Sequence, residues 1–323
     1  MEKNDKKWYN TKKLAKTNIY VKRRNHCMNT AQLERMKNGA GFIAALDQSG
    51  GSTPKALKAY GIQETEYHSE EEMFDLIHQM RSRILTSDAF TSEHILGAIL
   101  FEKTMNSKVD GLYSADYLWE KKGIVPFLKV DKGLDEKKDE VQLMKPIPNL
   151  DKILEQARGR NIFGTKMRSV IHNANQKGIR EIVDQQFDIG LKIVQKGFVP
   201  ILEPEVNINS NSKKEAEEIL IEEIMQHMKA LDSSVKLIFK VSIPTVAGLY
   251  SDLMKDSKTV RVVALSGGYS RNEADELLRE NPGLIASFSR ALLSDLNAKQ
   301  TQEEFDAALG KAIHEIYEAS MAE

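Results

Sequence analysis

The chain has 323 residues, 41% of them hydrophobic and 29% charged, so it can bury a sizeable core as one large domain or two. A formal net charge of −1 argues against nucleic acid and anionic membrane as default partners, and the single cysteine, Cys27, excludes a disulfide framework or a thiolate metal cluster. No apolar run reaches the ~18–20 residues that span a bilayer and no signal peptide is visible at the start, which is the pattern of a cytoplasmic protein.

Residues 1–27 differ from the rest: they carry nine Lys/Arg against two acids and show no sustained amphipathic period. Lys22-Arg23-Arg24 can be encoded by codons containing a purine-rich bacterial ribosome-binding site, with Asn25-His26-Cys27 as the spacer before a start codon at Met28. The expectation is a basic extension over 1–27, disordered or a misplaced start, followed by one catalytic domain over 28–323.

From Met28 onward, short apolar or β-branched runs alternate with longer charged segments of helical period, the signature of a parallel sheet with crossover helices. Predicted strands, in chain order, cover 41–47, 95–102, 125–130, 161–168, 199–206, 236–242, 261–268 and 285–291. Predicted helices between and after them cover 69–84, 178–197, 213–232, 270–281 and 301–320, the last opening on a capping box formed by Thr301 and Glu304. Eight strand–helix units over roughly 290 residues fit an α/β fold of the closed (β/α)8 TIM-barrel type in a single domain. A doubly wound open sheet fits less well, because no Gly-x-Gly-x-x-Gly follows the first strand.

Barrel enzymes build their sites at the carboxyl ends of the strands, and the predicted strands turn polar there. The first ends on Asp47, the third on Lys129 and Asp131, the fourth on Lys166 and Arg168, and the fifth on Glu203 and Glu205. The sixth ends on Lys240 and Ser242, the seventh on Ser266-Gly267-Gly268, and the eighth on Ser289-Arg290. Residues two apart share a strand face, so Lys166 with Arg168, Glu203 with Glu205, and Lys240 with Ser242 form same-face pairs. The outer face of a barrel strand is covered by helices and should be apolar, which directs these charges to the inside.

Alone, "LIFKVSIP" (237–244) also reads as an edge strand with a solvated lysine, but a closed barrel has no edge. Lysines and an arginine converging with carboxylates point to an anionic substrate and a reactive amine. An amine is nucleophilic only when deprotonated, a state that neighbouring cations and desolvation favour. Imine chemistry follows, with the carboxylates carrying protons. The small residues of "LSGGYS" let backbone N–H groups approach an anion, Arg290 adds a charged fork, and "DQSGGSTPK" (47–55) repeats the small-residue pattern. Two such loops imply a substrate with two phosphates.

Taken together, "ALDQSGGS", "LKVDKG", "GTKMRS", "PILEPEV", "LIFKVSIP", "LSGGYS" and "SFSRAL" resemble class I fructose-bisphosphate aldolase, the metal-independent Schiff-base family, in order from about residue 28 to 300. The resemblance implies reversible cleavage of fructose 1,6-bisphosphate to dihydroxyacetone phosphate and glyceraldehyde 3-phosphate, with sugar phosphates as partners and no cofactor or metal. It implies Lys240 as the Schiff-base lysine, Glu203 as its acid/base, and Asp47, Lys166 and Glu205 as further catalytic residues. Asp47 is then expected to take the C4-hydroxyl proton. Ser266, Gly267, Gly268 and Arg290 correspond to the C1-phosphate cradle, and Ser49, Ser52, Lys129 and Arg168 to positions near the other phosphate. Two departures from the animal branch stand out: Ala56 follows Lys55 where that branch has an arginine, and the chain ends "SMAE" rather than in a tyrosine. A shorter bacterial branch is the closer match.

Other readings make different demands. A metal-dependent aldolase would need several histidines at strand ends, and none of the seven histidines is predicted to end a strand. A catalytically silent sugar-phosphate-binding protein would be expected to lose Lys240, Glu203 or Asp47, and all three are present. Relaxed action on tagatose 1,6-bisphosphate, which differs in one hydroxyl's configuration, stays open. So does the oligomeric state, monomer or homo-oligomer, because no segment marks an interface.

Overall fold

The computed structural model describes residues 28–323; the basic extension and its reading as a misplaced start lie outside the described residues. Eight parallel strands follow one another around a ring: β1 (Phe42–Leu46), β2 (Ile95–Leu100), β3 (Val125–Lys129), β4 (Gly164–Ile171), β5 (Val199–Val206), β6 (Leu237–Ser242), β7 (Thr259–Leu265) and β8 (Ile285–Ala286). Each pairs with the next, and Ala45 N–H donates to the Phe288 carbonyl at 3.0 Å to close β8 onto β1. This is a TIM barrel.

Parallel neighbours require crossovers, and helices run between most of the strands, before the first and after the last. They include α1 (Thr30–Asn38), α2 (Thr53–Ala59), α3 (Glu70–Thr86), α4 (Leu150–Arg158), α5 (Gln176–Gln195), α6 (Lys213–Lys229), α7 (Ser251–Lys255), α8 (Arg271–Arg279), α9 (Arg290–Leu293) and α10 (Gln302–Ser320). Ser69 caps α3 by accepting from Glu72 N–H at 3.1 Å, with three glutamates in the first turn complementing the helix dipole. The predicted box at α10 is present: Glu304 N–H donates to Thr301 Oγ1 at 3.2 Å, and Thr301 N–H to Glu304 Oε2 at 2.8 Å.

Period-two alternation sorts the strand residues into two cores. Phe42, Ala44 and Leu46 of β1, Met167 of β4 and Leu202 of β5 face the helices. Ile43 and Ala45, Ile99, Phe127, Ile201, Ile238, Val263 and Ile285 face inward and fill the lower barrel, with Met36 of α1 joining them from below. Arg261 ties that plug down by donating from Nε to the Met36 carbonyl at 2.7 Å and from Nη2 to the Gly39 carbonyl at 2.6 Å. The Phe127 ring needs room on both sides. A Cβ on Gly97 or Gly164 would stand 3.1 or 3.0 Å from it, and one on Gly164 would also lie 1.9 Å from the Val199 carbonyl.

Several boundaries differ from the sequence expectation, among them β7, which runs Thr259–Leu265 instead of 261–268 and leaves Ser266-Gly267-Gly268 in the following turn. β4 begins three residues later than predicted and ends at Ile171, because Asn161 takes φ 54° in a turn while Val170 and Ile171 extend the strand and pair with a short antiparallel stretch, Val141–Gln142. His172 therefore does follow directly on a strand end, contrary to the expectation for the histidines. β8 is far shorter than predicted: it stops at Ala286, and Arg290 begins helix α9 instead of standing on a strand. The first loop is also shorter than expected, since α2 starts at Thr53 with Pro54 in its first turn, where the missing N–H costs nothing.

Candidate active site

On the inward face, the apolar floor gives way to charge at the carboxyl ends. Ala45 is followed two residues on by Asp47, Phe127 by Lys129, Gly164 by Lys166 and Arg168, Ile201 by Glu203 and Glu205, and Ile238 by Lys240. The result is a cavity of about 190 Å³. Its walls carry Asp47, Lys166, Arg168, Glu203, Glu205 and Lys240 from the ends of β1, β4, β5 and β6, and Ser266, Gly267, Ser287, Ser289 and Arg290 from the segments after β7 and β8.

Four buried charges form a connected chain at the bottom. Lys166 Nζ lies 2.8 Å from Asp47 Oδ2 and 2.5 Å from Glu203 Oε2, and Lys240 Nζ lies 3.1 Å from Glu203 Oε1. Glu203 thus bridges the two lysines, and Lys166 bridges two carboxylates. Burial alone would push the Asp47 carboxyl up, but Lys166 and Lys240 outweigh it and hold Asp47 well below the usual carboxylate range. Burial would likewise lower Lys166, yet Asp47 and Glu203 raise it well above an ordinary lysine. Lys166 is therefore locked as an ammonium. Lys240 has one carboxylate contact, with Glu203.

Nearer the rim, Arg168 Nε donates to Glu205 Oε2 at 2.5 Å, both side chains partly open to solvent. β5 and β6 are paired only at Ile201 with Ile238 and Leu202 with Phe239. Above that point, at the level of Glu203 and Lys240, their backbones are not paired. Ser242 spans the gap: its hydroxyl donates to the Val206 carbonyl at 2.6 Å and accepts from Val206 N–H at 3.0 Å. Ser242 shares the Lys240 face by spacing but holds strands together instead of lining the cavity.

The anion-type loop follows β7, the strand paired with β6. Gly267 has φ 62° and Gly268 φ 129°, a turn that side chains resist, and a Cβ on Gly267 would stand 2.5 Å from Ile208 Cγ2. A Cβ on Gly268 would lie 3.7 Å from Arg290 Nη2, so the guanidinium passes directly over this loop. Gly268 itself is not among the lining residues. Ser49, Ser52 and Lys129 do not line the cavity either. Ser49 and Ser52 close a short turn, with Ser49 N–H donating to Ser52 Oγ at 2.9 Å, and Lys129 Nζ is bound to Asp131 Oδ1 at 2.5 Å.

Several site residues were not legible from strand ends. Ser287 faces the cavity with its buried hydroxyl unpartnered, and Gln48 reaches the predicted strand-end residue Ser289 by donating from Nε2 to its Oγ at 2.6 Å. Arg81 on α3 is 1% exposed and holds Gln48 from behind. Its signal was helical: Phe74, Ile77, Arg81 and Ile84 fall on one buried face, and only one of them is charged. His172, beyond β4, turns away to pair with Gln142 Oε1 at 2.8 Å, and burial together with Lys137 holds its imidazole below the ordinary range.

A closed β/α barrel with two lysines and two carboxylates buried in contact at its mouth is an enzyme scaffold built for amine chemistry. The family model for fructose-bisphosphate aldolase class-I matches residues 28–242. The fructose-bisphosphate aldolase class 1 of Clostridium acetobutylicum is 59% identical over 294 residues, covering 91% of this chain and all of that protein. A crystal structure of fructose-bisphosphate aldolase from Plasmodium falciparum superposes with a TM-score of 0.71 at 21% identity, covering 90% of this chain and 94% of that one, a likeness of fold. The chain belongs to the class I fructose-bisphosphate aldolase family.

Proposed function

We propose that this chain cleaves fructose 1,6-bisphosphate reversibly through an imine on Lys240, with Glu203, Lys166 and Asp47 moving the protons. The observation that carries the residue roles is the contact chain Lys240–Glu203–Lys166–Asp47 inside one cavity that Ser266, Gly267 and Arg290 also line. Lys240 gives its proton to Glu203 and adds through Nζ to the C2 carbonyl of the open-chain ketose. Glu203 then protonates the carbinolamine hydroxyl, which leaves as water. The iminium accepts the electron pair of the C3–C4 bond as Asp47 takes the C4-hydroxyl proton, releasing glyceraldehyde 3-phosphate and leaving an enamine. Lys166, fixed as a cation between the two carboxylates, keeps Asp47 ionised until that proton arrives. Protonation at C3 and hydrolysis of the imine return Lys240 and release dihydroxyacetone phosphate.

Ser266, Gly267 and Arg290 take the C1 phosphate in this reading, a backbone turn and a guanidinium being well suited to a dianion. The cavity, at about 190 Å³, is smaller than the ~300–1,000 Å³ of many ligand pockets. It would hold the reacting carbons and one phosphate, with the second lying across the rim near Arg168, Lys129 and the Ser49–Ser52 turn. Work on soluble sugar phosphates fits a cytoplasmic protein, and no described helix is long and apolar enough to cross a membrane.

Borohydride added with dihydroxyacetone phosphate tests the mechanism. It is expected to inactivate the enzyme and leave a reduced adduct on Lys240 by peptide mass, with cleavage unaffected by EDTA. Loss of cleavage in EDTA, or an adduct on Lys166 in place of Lys240, overturns it.

A further inference from the structure

The largest fully buried side chain among the described residues is a cation, Arg81, and it makes no ion pair among them. Burying a guanidinium without a carboxylate costs more than burying an apolar side chain of similar size, so its retention needs a geometric reason. Arg81 Nη1 donates to Thr104 Oγ1 at 2.7 Å, while Nη2 donates to the Gln48 carbonyl at 2.5 Å and to Gln48 Oε1 at 3.2 Å. Burial pulls the guanidinium down to about 10, leaving it charged at neutral pH, and Asp47 is the anion that acts against that shift. Gln48 passes the restraint on through Nε2 to Ser289 Oγ at 2.6 Å, one residue before Arg290.

This chain of hydrogen bonds crosses the seam where β8 meets β1. Among the described residues the seam carries one backbone hydrogen bond, Ala45 N–H to the Phe288 carbonyl at 3.0 Å, whereas β4 and β5 are in register along all eight residues. Asp47 stands on one side of the seam and Arg290 on the other. Their separation is therefore set by side chains. A substrate held by its C1 phosphate at Arg290 and deprotonated on its C4 hydroxyl by Asp47 needs that separation to be right, and an error of about 1 Å can cost about 10²-fold in rate. A planar fork that binds two oxygen acceptors of one residue and one of another suits this task, and a lysine ammonium does not.

We propose that Arg81 is a positioning residue for carbon–carbon cleavage, clamping the Asp47–Gln48 corner of β1 against the Ser289–Arg290 end of β8. The proposal rests on the roles given above to Asp47 and Arg290. Imine formation with dihydroxyacetone phosphate uses Lys240 and Glu203 and does not need Asp47, so the two steps separate the clamp from general stability. Arg81→Lys and Arg81→Met are expected to lower kcat for fructose 1,6-bisphosphate by about 10²-fold, with KM nearly unchanged and borohydride trapping of dihydroxyacetone phosphate retained. Gln48→Ala, which cuts the same path without burying anything new, is expected to lower kcat as well. The Arg81→Lys/Gln48→Ala double variant should then be no worse than its weaker parent, since both break one path. Unchanged kcat in Arg81→Lys and Gln48→Ala, multiplicative losses in the double variant, or trapping lost in step with cleavage would each overturn the clamp. A wild-type protein that gave no trapped adduct would overturn the imine reading, and the clamp with it.

Discussion

The lower and upper halves of the barrel interior use the same strands and the same inward face, yet they obey opposite rules. Below, Ile43, Phe127, Ile201, Ile238, Val263 and Ile285 form a closed apolar layer. Further along the same strands stand Asp47, Glu203 and Lys240, buried almost as deeply but charged, with Lys129 half-buried beside Asp131. The floor lowers the free energy of the folded chain by removing apolar surface from water. The mouth holds ions out of water at a cost that mutual pairing offsets, and its return is in rate. Substitutions in the two layers should therefore separate stability from activity.

The largest effect is expected from Lys240→Met. Cleavage should fall by at least about 10⁴-fold and the borohydride adduct should vanish, since no other residue here has the same placement. Stability should change little, because Glu203 keeps Lys166 at 2.5 Å. Circular dichroism melts beside single-turnover assays measure both, and a variant that lost activity only by unfolding would break the comparison.

Phe127→Ala is the converse on the floor. It empties the space between Gly97 and Gly164 and removes an edge contact with Phe163, whose ring centroid is 5.6 Å away. A loss of about 3–5 kcal/mol is expected from denaturant titration, with kcat per folded molecule within about threefold of wild type. A kcat that fell far more than this would show that floor packing sets mouth geometry.

The smallest effect concerns a buried carboxyl outside both layers. Asp275 on α8 has an unpartnered Oδ1, and burial, opposed by Arg279 and Arg271 and aided by Glu315, pushes its carboxyl up to about 6 from 3.8. Over that interval the folded state keeps a proton that the unfolded chain has already lost. Stability from this group is thus present at low pH and declines as pH rises from about 4 to 6. Asp275→Asn should flatten that segment of the Tm–pH curve and raise Tm at pH 7 by roughly 2 °C. A mutant curve still parallel to wild type between those pH values would assign the slope to other groups. Unlike the mouth charges, Asp275 lacks a partner that makes its burial useful.

Much of this was legible because strand alternation is a local property. The predicted strands for β1, β3, β5 and β6 match within one or two residues, and the same-face pairs at Lys166 and Arg168 and at Glu203 and Glu205 do share the cavity. The errors arose where neighbours decide. β4 runs on to Ile171 because the Val141–Gln142 stretch pairs with it, and β8 stops early because the chain must turn Arg290 into α9 over the glycine turn. Arg81 went unread because a single charge on a helix face looks like surface until the helix is packed.

By itself the sequence determined the alternation of strands and helices, the inward set of lysines and carboxylates, and through seven ordered motifs the family. These follow from periodicity and residue chemistry, which are short-range. Only the tertiary structure decided that Glu203 joins the two lysines, that Lys166 stays locked as an ammonium while Lys240 has a single carboxylate contact, and that Arg81 reaches Gln48 from behind. Those are distances between residues 33 to 119 apart in the chain, and they take values only when the ring closes.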